Sequence, residues 1–354
     1  MAKPPDRRPS ARAGTLSGAG GAAPARPAGA APRRGRRAML AGLALVALGL
    51  AAGTGWWLGS RGEPPVVLPS AAQAAAAALP EPIATAQAAG ATYQELLDGR
   101  SDDWRVARLA LNPKILVIEF PDLASQGRTL NRLAALIEKA QAPRDRVLGD
   151  QALAELIRRA GDSPATFYFG HDYPAEAVAR FFTLAVHQQQ RLNDSEMRLG
   201  NLLLFAGLLK EENDRLVAAP DRQAVVTFTA VQADDPATPA DEGVDARRRE
   251  AILRHELSHG EFFTNGAYRE HCWRFWQRLS DEERTLFRHF LVSQGYDPRN
   301  EELMVNEAQA YLMHTPDLRA FSATVFGVPV ARLDALRARF REGLPPTIFS
   351  GLGR

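Results

Sequence analysis

The sequence HELSH occupies residues 255–259, inside a proline-free segment, 245–263, that reads DARRREAILRHELSHGEFF. Because residues four apart share one face of an α-helix, His255 and His259 can both bind one metal ion. Glu256 is rotated from His255 by about 100° on a helix, so its carboxylate can reach a metal-activated water without being a ligand. Apolar side chains share the histidine face, which predicts a helix with that face directed into the protein.

An HExxH sequence on a helix predicts zinc-dependent hydrolysis. Zinc lowers the pKa of a water molecule and polarises a scissile carbonyl. Glu256 would then act as general base, taking the water proton and passing it to the leaving amine. The chain has a single cysteine, Cys272, which excludes a cysteine-rich zinc site and an intramolecular disulfide. We therefore expect Zn²⁺ as the cofactor, held by histidine and carboxylate ligands.

The third ligand of this zinc is sought in the segment EELMVNEAQAYLMH, residues 301–314. On a helix, Glu307 falls on a partly apolar face together with Tyr311 and His314. A carboxylate there is costly unless it is paired or bound to a metal, so Glu307 is the predicted third ligand and His314 is the alternative. Tyr311 or His314 could also donate to the oxyanion that develops in the transition state, and core packing is the other interpretation of both.

These residues resemble those of the gluzincin group of zinc metallopeptidases, in which HExxH lies on one helix and a later helix supplies a glutamate, often after an asparagine. The sequence NEAQA at 306–310 matches that pattern, and the resemblance covers residues 245–314. It implies a zincin-like body with a small sheet and an active-site helix, both histidines and Glu307 as ligands, and Glu256 as general base. Tyr311 departs from the pattern, because some members have an aspartate there that orients a zinc-bound histidine.

Charge is unevenly distributed along the 354 residues. Residues 1–37 hold nine basic side chains and one acid, a net charge of +8, whereas the rest of the chain holds 34 basic and 40 acidic side chains, a net charge of −6. The scarcity of large apolar residues predicts that 1–37 is a disordered basic tail. The acidic body argues against nucleic acid as a partner, since it offers no surface that would neutralise phosphates.

A run of 23 residues without a charge, 38–60, follows the basic tail. A helix of that length can span a hydrocarbon core of about 30 Å, and the arginines before it predict a cytoplasmic N-terminus by the positive-inside rule. We expect a single-pass signal anchor in the inner or plasma membrane, a Pro- and Ala-rich linker at 61–90, and a body, 91–354, that is periplasmic or extracellular. Cleavage of a Sec or twin-arginine signal and secretion of the body is the alternative.

The body is predicted to have a mainly helical α+β fold. Helical spacing of apolar residues occurs at 130–137, 153–157, 177–185 and 194–210. Three apolar runs predict strands, at 114–120, 165–169 and 224–231. If the last of these is an exposed edge, an extended peptide substrate could add to it.

The dipeptide His171-Asp172 follows an apolar run and precedes Pro174. It is interpreted as a turn with an aspartate side-chain hydrogen bond, because the His-Asp pairs of phosphohydrolases lie on helices.

Three functions remain compatible with the sequence. The first is a membrane-tethered, extracytoplasmic zinc metallopeptidase that hydrolyses peptide or protein substrates through a zinc-activated water. The second is a zinc amidase of similar architecture that acts on cell-wall or other non-protein amides. The third is a non-catalytic anchored scaffold that uses zinc only to brace its fold.

Overall fold

In the computed structural model, the described residues are 90–351, except 101, 214, 239 and 240. The predicted tail and anchor, and the predicted linker up to residue 89, lie outside them. In the part of the chain that is described, no helix is long and apolar enough to cross a membrane.

The described residues form a mixed fold in which helices predominate around a small sheet, as predicted. The elements in chain order are β1 (Gly90–Ala91), α1 (Tyr93–Asp98), β2 (Arg105–Leu109), β3 (Asn112–Phe120), α2 (Leu123–Ile137), α3 (Asp150–Ala160), β4 (His171–Pro174), α4 (Ala175–His187), α5 (Asp194–Phe205), β5 (Leu209–Glu212), β6 (Arg215–Ala218), β7 (Ala224–Thr229), α6 (Ala246–Thr264), α7 (Gly266–Arg278), α8 (Asp281–Ser293), α9 (Glu301–His314), α10 (Ala323–Phe326), α11 (Val330–Arg341) and a 3₁₀ turn (Ile348–Gly351).

The main sheet has the strand order β1-β2-β3-β7-β4, and β5 and β6 form a separate hairpin. β3 and β7 are parallel, whereas β4 runs antiparallel to β7, with Asp172 opposite Val226. β7 is therefore bonded on both sides, so 224–231 does not provide the exposed edge on which the addition of a peptide substrate depended. The edge position on that side of the sheet belongs to β4.

Successive side chains of β3 from Ile115 to Phe120 are all buried. Because successive side chains of a strand point to opposite faces, the sheet is covered on both faces. Leu116 and Ile118 are fully buried in a core formed with α2, α4 and α5. Ile115 and Val117 are fully buried on the other face, in the core that receives α6. This second layer is what holds the HELSH helix against the sheet.

Two of the three predicted strands are confirmed as β3 and β7, but no residue of 165–169 lies in a strand, and residues 165 and 166 form a turn. There the hydroxyl of Ser163 accepts from the backbone N–H of Ala165 at 3.1 Å, and the Thr166 hydroxyl accepts from the N–H of Ser163 at 3.0 Å. Such local side-chain bonds compete with sheet pairing, and the strand begins only at His171. The helix predicted at 194–210 ends at Phe205, before the hairpin.

Helix α6, predicted from the HELSH segment, begins after Asp245, whose carboxylate accepts from the backbone N–H of Arg248 at 2.7 Å. It lies across β3, β7 and β4. Gly260 permits the close approach, because a Cβ added there would lie 3.0 Å from the side chain of Ile115. α9 packs against α6 and brings the second predicted ligand segment to it.

We expect Arg249→Met to lower the free energy of unfolding by about 3 kcal/mol, because it breaks a buried ion pair. The Arg249 guanidinium is buried in α6, pairs with the carboxylate of Glu119 on β3, and donates to the carbonyls of Leu96 and Thr229. Urea denaturation would measure the loss. The exposed neighbour Arg247 provides the control, since Arg247→Met should change stability by less than about 0.5 kcal/mol. Equal effects of the two variants would contradict this role of Arg249.

Candidate metal centre

Helices α6 and α9 bring three side chains of metal-ligand type together, namely His255, His259 and Glu307. Their ligand atoms lie within 4.8 Å of one another. The Nε2 atom of His255 is 3.6 Å from one Glu307 oxygen, and the Nε2 atom of His259 is 3.7 Å from the other. Glu307 is 2% exposed and His259 is fully buried. These are the three residues that the sequence predicted as ligands.

A chain of hydrogen bonds holds the two helices in this register. Ser258, between the two histidines, donates to the backbone carbonyl of His255 at 2.7 Å and accepts from the Gln309 amide at 3.2 Å. Tyr268 on α7 donates to the carbonyl oxygen of the same Gln309 side chain at 2.6 Å. All of these groups are buried, so the hydrogen bonds fix the position of α9 along the axis of α6.

Thr315, just beyond the end of α9, determines which nitrogen of His255 is free. Its hydroxyl donates to the carbonyl of Ala310 at 3.0 Å and lies 2.7 Å from the Nδ1 atom of His255. Because the hydroxyl already donates its only hydrogen to the carbonyl of Ala310, it acts as the acceptor of a hydrogen bond from the Nδ1–H group of His255. The tautomer of His255 then leaves a lone pair on Nε2, directed at Glu307.

Burial makes both histidines neutral at physiological pH. It lowers the pKa of His255 to about 3 and the pKa of His259 to about 4. Both nitrogens of His259 and one oxygen of Glu307 are buried without a hydrogen-bond partner. Unpaired buried polar atoms are costly, and a cation shared by these residues would satisfy the Nε2 atom of His259 and the oxygen of Glu307.

Glu256 reaches the cleft from the same helix, and it is 6% exposed. Burial and the charge of Glu307 raise the pKa of its carboxyl group well above the usual range. The backbone at Gly170 lies directly against this group, because a Cβ added at residue 170 would be 2.3 Å from the Glu256 Oε1 atom. A residue without a side chain is therefore needed at 170 for Glu256 to keep its position.

Asp172 on β4 also lies at this site, which corrects the interpretation of His171-Asp172 as a turn. Asp172 forms a second group of ligand type with Glu256 and His259. One of its oxygens is 3.7 Å from the Nε2 atom of His259. Burial, together with the charges of Glu256 and two further acids, raises the pKa of Asp172 well above the usual range. In the sequence, Asp172 stands out only as an acid that follows an apolar run, and nothing there indicates that it lies next to His259.

His314 belongs to neither of the two groups of ligand type. Its Nε2 atom lies 3.0 Å from the Tyr268 hydroxyl, and its ring stacks on Phe349 with a centroid distance of 4.1 Å. The ring of Tyr311 instead meets His255 edge-on at 4.8 Å and lines the cleft. The geometry thus favours Glu307 over His314 as the third ligand, and it leaves Tyr311 at the site.

A cleft of about 980 Å³ opens over His255 and Glu256. Phe169, Gly170 and Tyr311 contribute to its wall near these two residues. Lys139 is part of the wall as well, with its ammonium group 4.4 Å from the ring centroids of both Phe167 and Tyr168. The cleft therefore combines aromatic surface with a nearly buried cation.

The donor set fits a divalent metal ion, since two neutral imidazoles and a carboxylate converge and several of their atoms lack other partners. No protein-family model, curated protein or solved structure matches this chain.

Proposed function

We propose that this chain is a zinc-dependent metallopeptidase of the gluzincin type. In this proposal His255, His259 and Glu307 hold the ion, Glu256 is the general base, and peptide or protein substrates enter the cleft. The uncharged run at 38–60 and the basic tail before it support a membrane-tethered enzyme whose body lies outside the cytoplasm.

The observation that carries this proposal is the convergence of three ligand-type side chains beside a cleft that also contains Glu256. Two histidines and one carboxylate are the ligands of many catalytic zinc sites, which keep a further position open. When bound, zinc would supply a Lewis acid that activates water and the scissile carbonyl.

In this proposal Glu256 transfers protons and does not bind the ion. It lies at the cleft next to His255, and its buried environment favours a carboxyl group that gains a proton readily. A raised pKa matches a base that takes a proton from water and returns it to the leaving amine. Tyr311, beside His255, is within the same wall and could donate to a developing oxyanion.

The test uses the full-length chain, purified and assayed with casein before and after removal of metal by a chelator. We expect about one zinc ion per chain, loss of cleavage after chelation, and recovery when zinc is added back. Zinc content of about one with no hydrolysis of any amide would favour the anchored scaffold. Cleavage that persists without bound metal would refute the proposal.

The zinc amidase remains a second candidate, and Lys139 is the observation that favours it. The nearly buried ammonium group in the cleft wall, on which the charges of Asp162 and Glu138 already act, would attract a further carboxylate from an anionic substrate. Cell-wall peptides carry such free carboxylates. Parallel digests of casein and peptidoglycan, with product analysis by mass spectrometry, would separate the two activities.

We expect Gly170→Ala to reduce hydrolysis by about 100-fold, the order of loss that a displacement of about 1 Å can cause, while metal content stays the same. The added methyl group cannot coexist with the present position of the Glu256 carboxylate. Gly266→Ala is the matched control, because nothing lies within 4 Å of a Cβ added there. Unchanged kinetics for Gly170→Ala would show that Glu256 tolerates displacement and does not act from this position.

A further inference from the structure

A second cavity, of about 190 Å³, is lined by residues of α6, α9 and α11. Three of the residues that line it are arginines, Arg254 on α6 and Arg337 and Arg341 on α11. The remaining lining residues are uncharged and belong to the end of α9 and the segment that follows it. Among the described residues, this arginine cavity is thus lined by three positive charges and no negative one.

The three guanidinium groups of the arginine cavity have few partners in the protein. The Nε atom of Arg254 is buried without a hydrogen-bond partner, and its guanidinium lies 5.9 Å from the centroid of the Phe349 ring. No described carboxylate forms an ion pair with Arg254 or Arg341, and Arg337 meets only the exposed Asp334, at 3.8 Å. An exposed pair of that length contributes little, so the cavity holds positive charge that a bound anion would offset.

Arg337 is held in place before any ligand arrives. Its Nε atom donates to the carbonyl of Leu312 at 3.0 Å, which leaves its two terminal nitrogens without a hydrogen bond to any described residue. Burial lowers the pKa of Arg337, Asp334 opposes this effect, and the positive charge of Arg341 adds to it. The two cations therefore repel each other, and an anion in the cavity would relieve that repulsion. A side chain that is already positioned also loses less freedom on binding.

The number of guanidinium groups indicates which anion fits. Each guanidinium offers a planar fork of N–H donors that matches the oxygens of a carboxylate or a phosphate. A carboxylate carries a single charge, whereas a phosphate group carries about −1.5 to −2 at pH 7 and has three acceptor oxygens. We propose that the arginine cavity is a binding site for a phosphate group, held by Arg254, Arg337 and Arg341. This inference goes beyond the proposed function and does not rest on it.

The test is a calorimetric titration of the full-length chain with inorganic phosphate, at constant ionic strength because salt screens exposed charges. The variants are Arg254→Gln and Arg341→Gln. The control is Arg247→Gln, which removes the same charge from an exposed position on α6 that does not line the cavity. We expect each cavity variant to bind phosphate about 10-fold or more weakly, the order of loss for a hydrogen bond to a charged group. The control should match wild type within twofold.

The design separates the cavity from the metal centre. The variants keep the three proposed metal ligands, so phosphate that binds to a metal ion would bind equally in all of them. Thermal unfolding without phosphate would verify folding. If Arg254→Gln does not fold, Arg341→Gln decides, because Arg341 is exposed. No phosphate binding by wild type, or affinities within twofold of wild type in the cavity variants, would overturn the inference whether or not the chain cleaves casein.

Inorganic phosphate and a lipid headgroup present the same chemistry to the arginine cavity. A parallel titration with water-soluble dihexanoyl phosphatidic acid distinguishes them. Binding that is at least 10-fold tighter than that of inorganic phosphate, and that is lost in the cavity variants, would support the site and assign it to a lipid headgroup. Weaker binding of the lipid, with the expected loss of inorganic phosphate in the variants, would support the site and assign it to free phosphate.

Discussion

Glutamine at position 256 is expected to lower the rate of hydrolysis by about 10²- to 10⁴-fold, the contribution of a general base, while the metal content stays at the wild-type level. The amide has the size of the carboxylate but cannot accept the proton of water. Glu256 lies at the cleft and is not one of the three side chains that converge as His255, His259 and Glu307. The measurement is kcat/KM on a fluorogenic peptide, with metal content by plasma mass spectrometry.

The control for this variant is Glu250→Gln, on the same helix. Glu250 accepts a long hydrogen bond of 3.4 Å from the Tyr93 hydroxyl and does not line the cleft. Its variant should retain wild-type kinetics. A rate within twofold of wild type for Glu256→Gln would exclude Glu256 as the base.

Alanine at position 259 is expected to reduce the metal content from about one ion per chain to about none. His259 belongs to both groups of ligand type and is fully buried between the two helices. Its loss removes the one donor that the two groups share, and the remaining carboxylates would repel one another. Metal analysis after dialysis, with thermal unfolding in the presence and absence of zinc, would measure both the occupancy and the stabilisation that binding provides.

His289→Ala serves as the comparison, because His289 is an exposed histidine on α8. It should bind metal as wild type does, and zinc should stabilise it equally. Full zinc occupancy in the His259 variant would refute the proposed centre, and hydrolysis without that occupancy would refute the metal dependence.

Local patterns were sufficient to predict the two helices that carry the site. The spacing of His255 and His259 is a property of one helix turn, and Asp245 caps that helix in the structure. Glu307 was predicted because a carboxylate on an apolar face needs a partner, and it is buried beside both histidines. Each of these inferences needs only residues within about four positions of one another.

The residues that the sequence did not reveal act across long separations. Thr315 selects the tautomer of His255 from beyond the end of another helix. Gly170 matters because its backbone touches a side chain on α6. The strand predicted at 165–169 begins instead at His171, which puts Asp172 at the edge of the sheet. No periodicity in the sequence encodes such contacts.

The sequence by itself predicted the helices, the two histidines, Glu256 and Glu307, because these follow from helix periodicity and from the cost of burying charge, but it left His314 open as an alternative third ligand. Only the tertiary structure decided that β4 is the edge strand and that Asp172 meets His259. The order of strands depends on which apolar faces pack together, and that packing joins residues far apart in the chain.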